Sequence, residues 1–208
     1  MRVALTFDTE HPDQPGHAAD SLERMLDVLA TAGIPATFFI QGRWAEAHPV
    51  TARRIADDGH LVGNHSYYHY RMSGYTTRQL VDDLRKAEQA IVETTGCDPK
   101  PWFRLPFHSG NENARVIKRL RAAGYEQVFT NCDPGDWVPT NTAGIVLDNV
   151  VDQARGKELV VVDLHSWPRV AADAFPDIVR HFGELGAEFV TVDAFRDQLP
   201  ALRSGLLQ

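Results

Sequence analysis

Apolar positions along this 208-residue chain fall into two patterns. Short β-rich runs, apolar almost throughout, alternate with longer stretches in which apolar residues recur every three to four positions. Residues 2–7 are the first run, and a polar loop with Pro12, Pro15 and Gly16 follows. Leu22, Met25, Leu26 and Leu29 then keep helical spacing up to Gly33, a helix stop. The alternation continues with strand 36–40, helix 45–58 closed by Gly59, and strand 60–64. A long helix over 77–94 follows, with Leu80, Leu84, Ala87 and Ile91 on one face. Beyond it come strand 102–105, helix 113–123, strand 125–130, helix 142–155, strand 159–164, helix 172–185 and strand 188–192. A short helix is expected near 199–208.

Strands and helices in strict alternation, joined by right-handed crossovers, make a parallel sheet, either open or closed. The polar residues choose between them. Asp8, His65, Arg104, Asp133 and His165 each follow the carboxyl end of a different strand. An open sheet gathers its site at one switch point. A barrel brings the loops of many strands to one mouth. The sequence therefore predicts an α/β fold, a (β/α)7-type barrel of parallel strands, as a single domain over residues 1–208. No Gly-rich phosphate loop of either standard spacing is present, which argues against a nucleotide-binding open sheet.

Net charge is −7, which speaks against a nucleic-acid partner. The basic cluster Arg115, Lys118, Arg119 and Arg121 has helical spacing and reads as a solvated face. Only two cysteines, Cys97 and Cys132, are present, too few for a disulfide scaffold. No apolar run is long enough to span a bilayer, so no membrane partner is expected. Met1-Arg2 leads directly into the first strand and not into a signal peptide. That reads as a cytoplasmic protein, although a trimmed secreted chain would look the same.

His65-Ser66-Tyr67-Tyr68-His69 carries the strongest chemical signal. On a helical turn, residues i and i+4 share a face, so both imidazoles can hold one ion. Asp8 and Glu10 are two apart on an extended chain and point the same way, so one can bind a metal while the other acts as base. Arg104 can orient a carboxylate bidentately or serve a structural ion pair. Asp133-Pro134-Gly135-Asp136-Trp137 is a tight turn, and its Trp suggests the wall of a small pocket. Cys132 beside it is a candidate thiol. His165 closes the most apolar strand, as either a core histidine or a catalytic acid.

The ordered set Thr6-Phe7-Asp8, His65-Ser66-x-x-His69, Arg104-x-Pro106-Phe107, Asp133-x-x-Asp136-Trp137 and Leu164-His165 resembles the polysaccharide deacetylases of the NodB-homology type, carbohydrate esterase family 4. The resemblance implies a distorted (β/α) barrel and a hydrolase that removes acetyl groups with one divalent metal, zinc in most members, with cobalt or nickel as alternatives. It also implies His65 and His69 as metal ligands and Asp8 as the general base, with Arg104 positioning Asp8. The Phe107 N–H would serve the oxyanion. His165 would be the general acid, held by Asp136, and Trp137 with Leu164 would line the acetyl pocket.

Two positions depart from the family pattern. Thr9 stands where the family has its metal-binding aspartate, and a hydroxyl is a poor zinc ligand. Glu10 is expected to replace it, or else Asp8 binds the metal and Glu10 or water acts as base. His108 stands where a glycine is common, and is expected to narrow the mouth or touch substrate. An acetylated carbohydrate is the expected partner. A cytoplasmic location would favour small N-acetylated sugars over polymers, with His11, His17, Trp44, Tyr67, Tyr68, Tyr70, Tyr75 and Trp167 as candidate stacking faces. Three activities stay open: an N-deacetylase, an O-acetyl esterase or amidohydrolase on the same scaffold, and a non-catalytic carbohydrate-binding relative.

Overall fold

A computed structural model of the chain describes residues 1–11 and 18–198. The loop with Pro12, Pro15 and Gly16, His17, and the helix expected near 199–208 lie outside the described residues. Two compact units divide the chain. One takes residues 1–8, the described part of 12–37, and 129–198. The other takes residues 9–11 and 38–128.

In the first unit, strand β1 (Arg2–Thr9) pairs in parallel with a strand near the C-terminal end, Leu159–His165. The register runs from Arg2 opposite Leu159 to Asp8 opposite His165. Glu188–Phe189 pairs in parallel with β1 as well. Val3, Ala4, Leu5 and Phe7 are fully buried, as are Val160, Val161, Val162 and Leu164. Such unbroken apolar runs belong to strands covered on both faces. Helix α1 (Ser21–Ala32) buries Leu22, Met25, Leu26 and Leu29, the stripe its periodicity predicts, and stops at Gly33 with φ 64°.

The second unit carries β2 (Thr37–Ile40), α2 (Gly42–Ala47), α3 (Pro49–Asp57), β3 (Leu61–Asn64), α4 (Thr77–Thr95), β4 (Trp102–Phe103), α5 (Ala114–Ala122) and β5 (Glu126–Gln127). Asn64 of β3 lies opposite Phe103 of β4, and Trp102 lies opposite Glu126 of β5, both in parallel. The helix expected over 45–58 is two helices. Pro49 disfavours helical backbone at His48, whose φ is −128°, and then opens α3 as its first residue. Strands expected over 102–105 and 125–130 shrink to two residues each, because the chain turns away at Arg104-Leu105-Pro106.

Helix α4 opens with a capping box between Thr76 and Gln79 and buries Leu80, Asp83, Leu84, Ala87, Ala90 and Ile91. Gly42 lets α2 approach it. A Cβ there would lie 2.7 Å from the Tyr67 ring and 2.9 Å from the Ala87 backbone. Met72, Leu80, Leu84, Phe103, Leu105, Val116, Leu120 and Tyr125 form a buried core cluster of this unit.

The remaining elements of the first unit are α6 (Ala143–Ala154), β6 (Leu159–His165, the strand beside β1), α7 (Arg169–Glu184) and β7 (Glu188–Phe189). Phe175 of α7 sets its ring edge-on to Phe7 at 5.3 Å between centroids. The α/β class and the parallel strands expected from the sequence are both present.

Candidate functional site

Glu10, His65 and His69 converge in the second unit. One potential ligand atom from each lies within 4.8 Å of the others, the one such cluster among the described residues. All three are buried. Backbone bonds at the end of β2 place them. The Gln41 N–H donates to the Thr9 carbonyl at 2.8 Å, and the His65 N–H donates to the Ile40 carbonyl at 3.0 Å. The Gln41 side chain accepts from the His11 N–H at 3.0 Å, which fixes the chain on the far side of Glu10.

The histidines meet, but not on the expected helical turn. Residues 65–69 form a loop in which Ser66 and His69 take left-handed backbone, φ 67° and 58°. Each such non-glycine residue costs on the order of 1–3 kcal/mol and persists only where its surroundings hold it. Asn64 Oδ1 accepts from the Ser66 N–H at 2.8 Å, and Ser66 Oγ accepts from the His69 N–H at 2.9 Å. The two imidazole rings end 5.0 Å apart.

Donor chemistry tests whether the cluster suits a metal. His65 Nδ1 lies 3.0 Å from the Arg104 carbonyl oxygen. A carbonyl only accepts, so Nδ1 carries a proton, and the neutral ring keeps its lone pair on Nε2. His65 Nε2 lies 3.5 Å from Glu10 Oε2, and His69 Nε2 contacts the same oxygen. Burial alone would raise the Glu10 carboxyl, but hydrogen bonds and charge from His65 and His69, when those rings are protonated, outweigh it and hold the group below the usual carboxylate range. An ionised carboxylate and two imidazole nitrogens are a donor set suited to zinc and its neighbours. Thr9 is fully buried and its hydroxyl has no hydrogen-bond partner among the described residues.

Arg104 is fully buried, with its guanidinium over the Phe39 ring at 4.2 Å. The side chain is the part of Arg104 that the sequence marks. Its carbonyl, which sets the His65 tautomer, has no sequence signal. Phe107 and His108 follow with left-handed backbone, φ 55° and 50°. The Phe107 ring lies 4.5 Å from the His69 ring and carries Arg71 at 4.7 Å on it. His108 is exposed.

The first unit holds the remaining candidates. Asp136 accepts from both the ring and the backbone of His165, at 2.8 and 2.7 Å. Burial raises the Asp136 carboxyl, while the His165 charge and hydrogen bonds pull it down. Asp8 is the register partner of His165, and its carbonyl accepts from the Ser166 N–H at 3.0 Å. Asn149 and Gln153 of α6 bond the carbonyls of Pro134 and Asp133, fixing the turn that delivers Asp136.

Trp137, 45% exposed, lines a cavity of about 300 Å³ with Trp167, Pro139 and Arg169. Leu164 is buried within β6. Asp133 is exposed and serves the turn, its carboxylate accepting from the Gly135 N–H. Cys132 is buried, and burial pushes its thiol up to about 12, which disfavours the thiolate.

The family model described as polysaccharide deacetylase matches residues 1–128 of the 208, more than half of the chain. The chain belongs to the polysaccharide deacetylase family. Its sequence is 32% identical over 202 residues to a chitooligosaccharide deacetylase of Rhizobium leguminosarum bv. trifolii, covering 97% of this chain and 86% of that one. It is 28% identical over 193 residues to the Bacillus subtilis peptidoglycan-N-acetylmuramic acid deacetylase PdaA, covering 92% of this chain and 70% of the relative. Several relatives are longer, and the chain spans 38% of a Listeria monocytogenes peptidoglycan-N-acetylglucosamine deacetylase.

Among solved structures, a mutant of a carbohydrate esterase family 4 pseudoenzyme with restored enzymatic activity superposes with a TM-score of 0.82. It is 25% identical and covers 93% of this chain and 66% of that one. This polysaccharide deacetylase chain therefore has the fold of esterase family 4, the distorted (β/α)7-type class expected from the sequence. No helix among the described residues is long and apolar enough to cross a membrane.

Proposed function

We propose that this family member is a metal-dependent hydrolase that removes acetyl groups from N-acetylated sugars. The observation that carries the reading is the buried Glu10–His65–His69 cluster, with the His65 tautomer set to present Nε2. Glu10 takes the ligand place that Thr9 cannot fill. A divalent ion held there supplies Lewis-acid polarisation of the acetyl carbonyl and lowers the pKa of the attacking water.

Asp8 is the general base and accepts a proton from that water. Arg104 is a positioning residue. The Phe107 N–H stabilises the developing oxyanion. His165 is the general acid, needed because an amine leaves poorly without a proton. Asp136 holds the His165 ring through Nδ1, so Nε2 delivers that proton. Trp137 and Leu164 shape the acetyl pocket, and His108 touches substrate.

Acetate release from N-acetylated chitooligosaccharides tests this, using metal-stripped protein before and after addition of zinc or cobalt. Release restored by metal is the expected result. No release from folded, metal-loaded protein on chitooligosaccharide, peptidoglycan fragments or acetylxylan would overturn it and favour a binding protein. Acetate from acetylxylan alone would make it an O-acetyl esterase.

A further inference from the structure

We infer that Asp83 of α4 is a positioning residue for the metal centre, presetting the loop that carries both histidine ligands. The inference rests on reading the Glu10–His65–His69 cluster as a metal site.

Asp83 is a carboxylate in a helix face otherwise built from Leu80, Leu84 and Ala87, and it is 2% exposed. An acidic side chain stays in such a position only where its lone pairs are satisfied. Oδ1 accepts from the Tyr67 N–H at 2.9 Å, Oδ2 accepts from the Tyr68 N–H at 3.1 Å, and the Tyr75 hydroxyl donates to Oδ2 at 3.2 Å. Tyr67 and Tyr68 are the two residues between Ser66 and the ligand His69. The carboxylate therefore grips the middle of the ligand loop with two charge-assisted bonds.

Its own mount is rigid. Helix α4 is nineteen residues long and fixed by its capping box. Gly42 brings α2 close to α4, and a Cβ there would lie 2.7 Å from the Tyr67 ring and 2.9 Å from the Ala87 backbone. The first two amides of α2, Gly42 and Arg43, donate to the carbonyls of Ser66 and Tyr67 at 2.9 and 3.4 Å. The loop is thus held from one side by its carbonyls and from the other by its amides. Without the amide grip, the left-handed residues Ser66 and His69 have less to keep them there, and the His69 ring leaves the others.

Asp83→Asn is the informative change. Each oxygen now serves a different N–H, so an amide side chain can satisfy only one of them and turns its own NH2 toward the other. The full chain, stripped of metal, is titrated with Co2+ and followed by its visible absorption. Asp83→Asn is expected to weaken cobalt binding about 10–100-fold. Tyr75→Phe, which removes only the hydroxyl bond, is expected to stay within about threefold of wild type. A merely structural Asp83 would lower the denaturation midpoint and leave the cobalt Kd of the folded variant unchanged.

Amide exchange on the wild-type protein is the second measurement. Tyr67 and Tyr68 amides are expected to be protected before any metal is added. A folded Asp83→Asn with wild-type cobalt affinity overturns the inference. So does free exchange of those two amides in metal-free protein, which also decides the matter if the variant does not fold. A wild-type protein that binds no cobalt, yet protects both amides, would instead defeat the metal reading and leave a preset loop.

Discussion

Replacing Glu10 separates a ligand from a bystander, and two variants divide its contribution into charge and reach. Glu10→Gln keeps the shape and removes the charge. At the 3.5 Å between its carboxylate and His65 Nε2, one unit charge interacts by roughly 5 kcal/mol at an effective dielectric of about 20. A doubly charged ion among these donors feels at least that much, and resolvation of the released ion returns part of it. We expect a net loss of at least 100-fold in zinc or cobalt affinity, about 2.8 kcal/mol. Glu10→Asp keeps the charge but withdraws it by one methylene, about 1.5 Å. Metal–ligand distances tolerate only about 0.2 Å, so affinity still falls, by about tenfold or more. Thr9→Ala, at the family's usual ligand position, should leave affinity within about threefold. The assay is cobalt titration by visible absorption, with circular dichroism as the check on folding. Wild-type affinity in both Glu10 variants would refute the assignment, and a loss in Thr9→Ala would move the ligand to position 9.

His165→Ala should slow N-acetyl hydrolysis by about 10²–10⁴-fold while slowing an activated acetate ester far less, and equal losses on both substrates would sink its role as the acid. His60 is buried against Phe38 at 5.1 Å, its ring nitrogens have no hydrogen-bond partner among the described residues, and burial lowers its pKa below 6.5. The folded state therefore binds that proton more weakly than the unfolded state does. The contribution of neutral His60 is present above pH 6.5 and lost as pH falls through the folded pKa, at up to about 1.4 kcal/mol per pH unit. His60→Leu should shrink that slope in denaturant titrations between pH 7 and 5, and identical slopes would contradict it. Gly42→Ala should destabilise by about 1–3 kcal/mol, because its Cβ meets the Ala87 backbone at 2.9 Å and backbone cannot step aside. A change below about 0.5 kcal/mol would show that α2 can shift.

Short apolar runs and period-3.6 patterning were enough to order seven strands and the helices between them. Burial is a local consequence of apolar spacing, and the stops at Gly33 and Gly59 are local backbone chemistry, each with positive φ. Residue types at strand ends also marked the chemical candidates, since a charged or imidazole group after an apolar strand needs a reason to be there. Patterning misjudged what depends on neighbours. It read 45–58 as one helix although Pro49 divides it, and it lengthened β4 and β5 past the point where their pairing ends. It placed His65 and His69 on a helical turn, when side chains of Asn64 and Ser66 hold a left-handed loop instead.

The sequence by itself determined the alternating architecture, the position of each apolar stripe and the identities of the donors Glu10, His65 and His69. Only the tertiary structure decided how those donors face one another. The His65 tautomer depends on a carbonyl of Arg104, 39 residues away, and the ligand loop on a carboxylate of Asp83. Asp83 did leave a mark, an acid three residues after Leu80 on the apolar face of α4. Its two bonds to the ligand loop come from backbone amides, which every residue but proline possesses, so no residue type could have announced them. Hydrogen bonds to backbone are invisible to a reading of side chains, and here they set the geometry of the site.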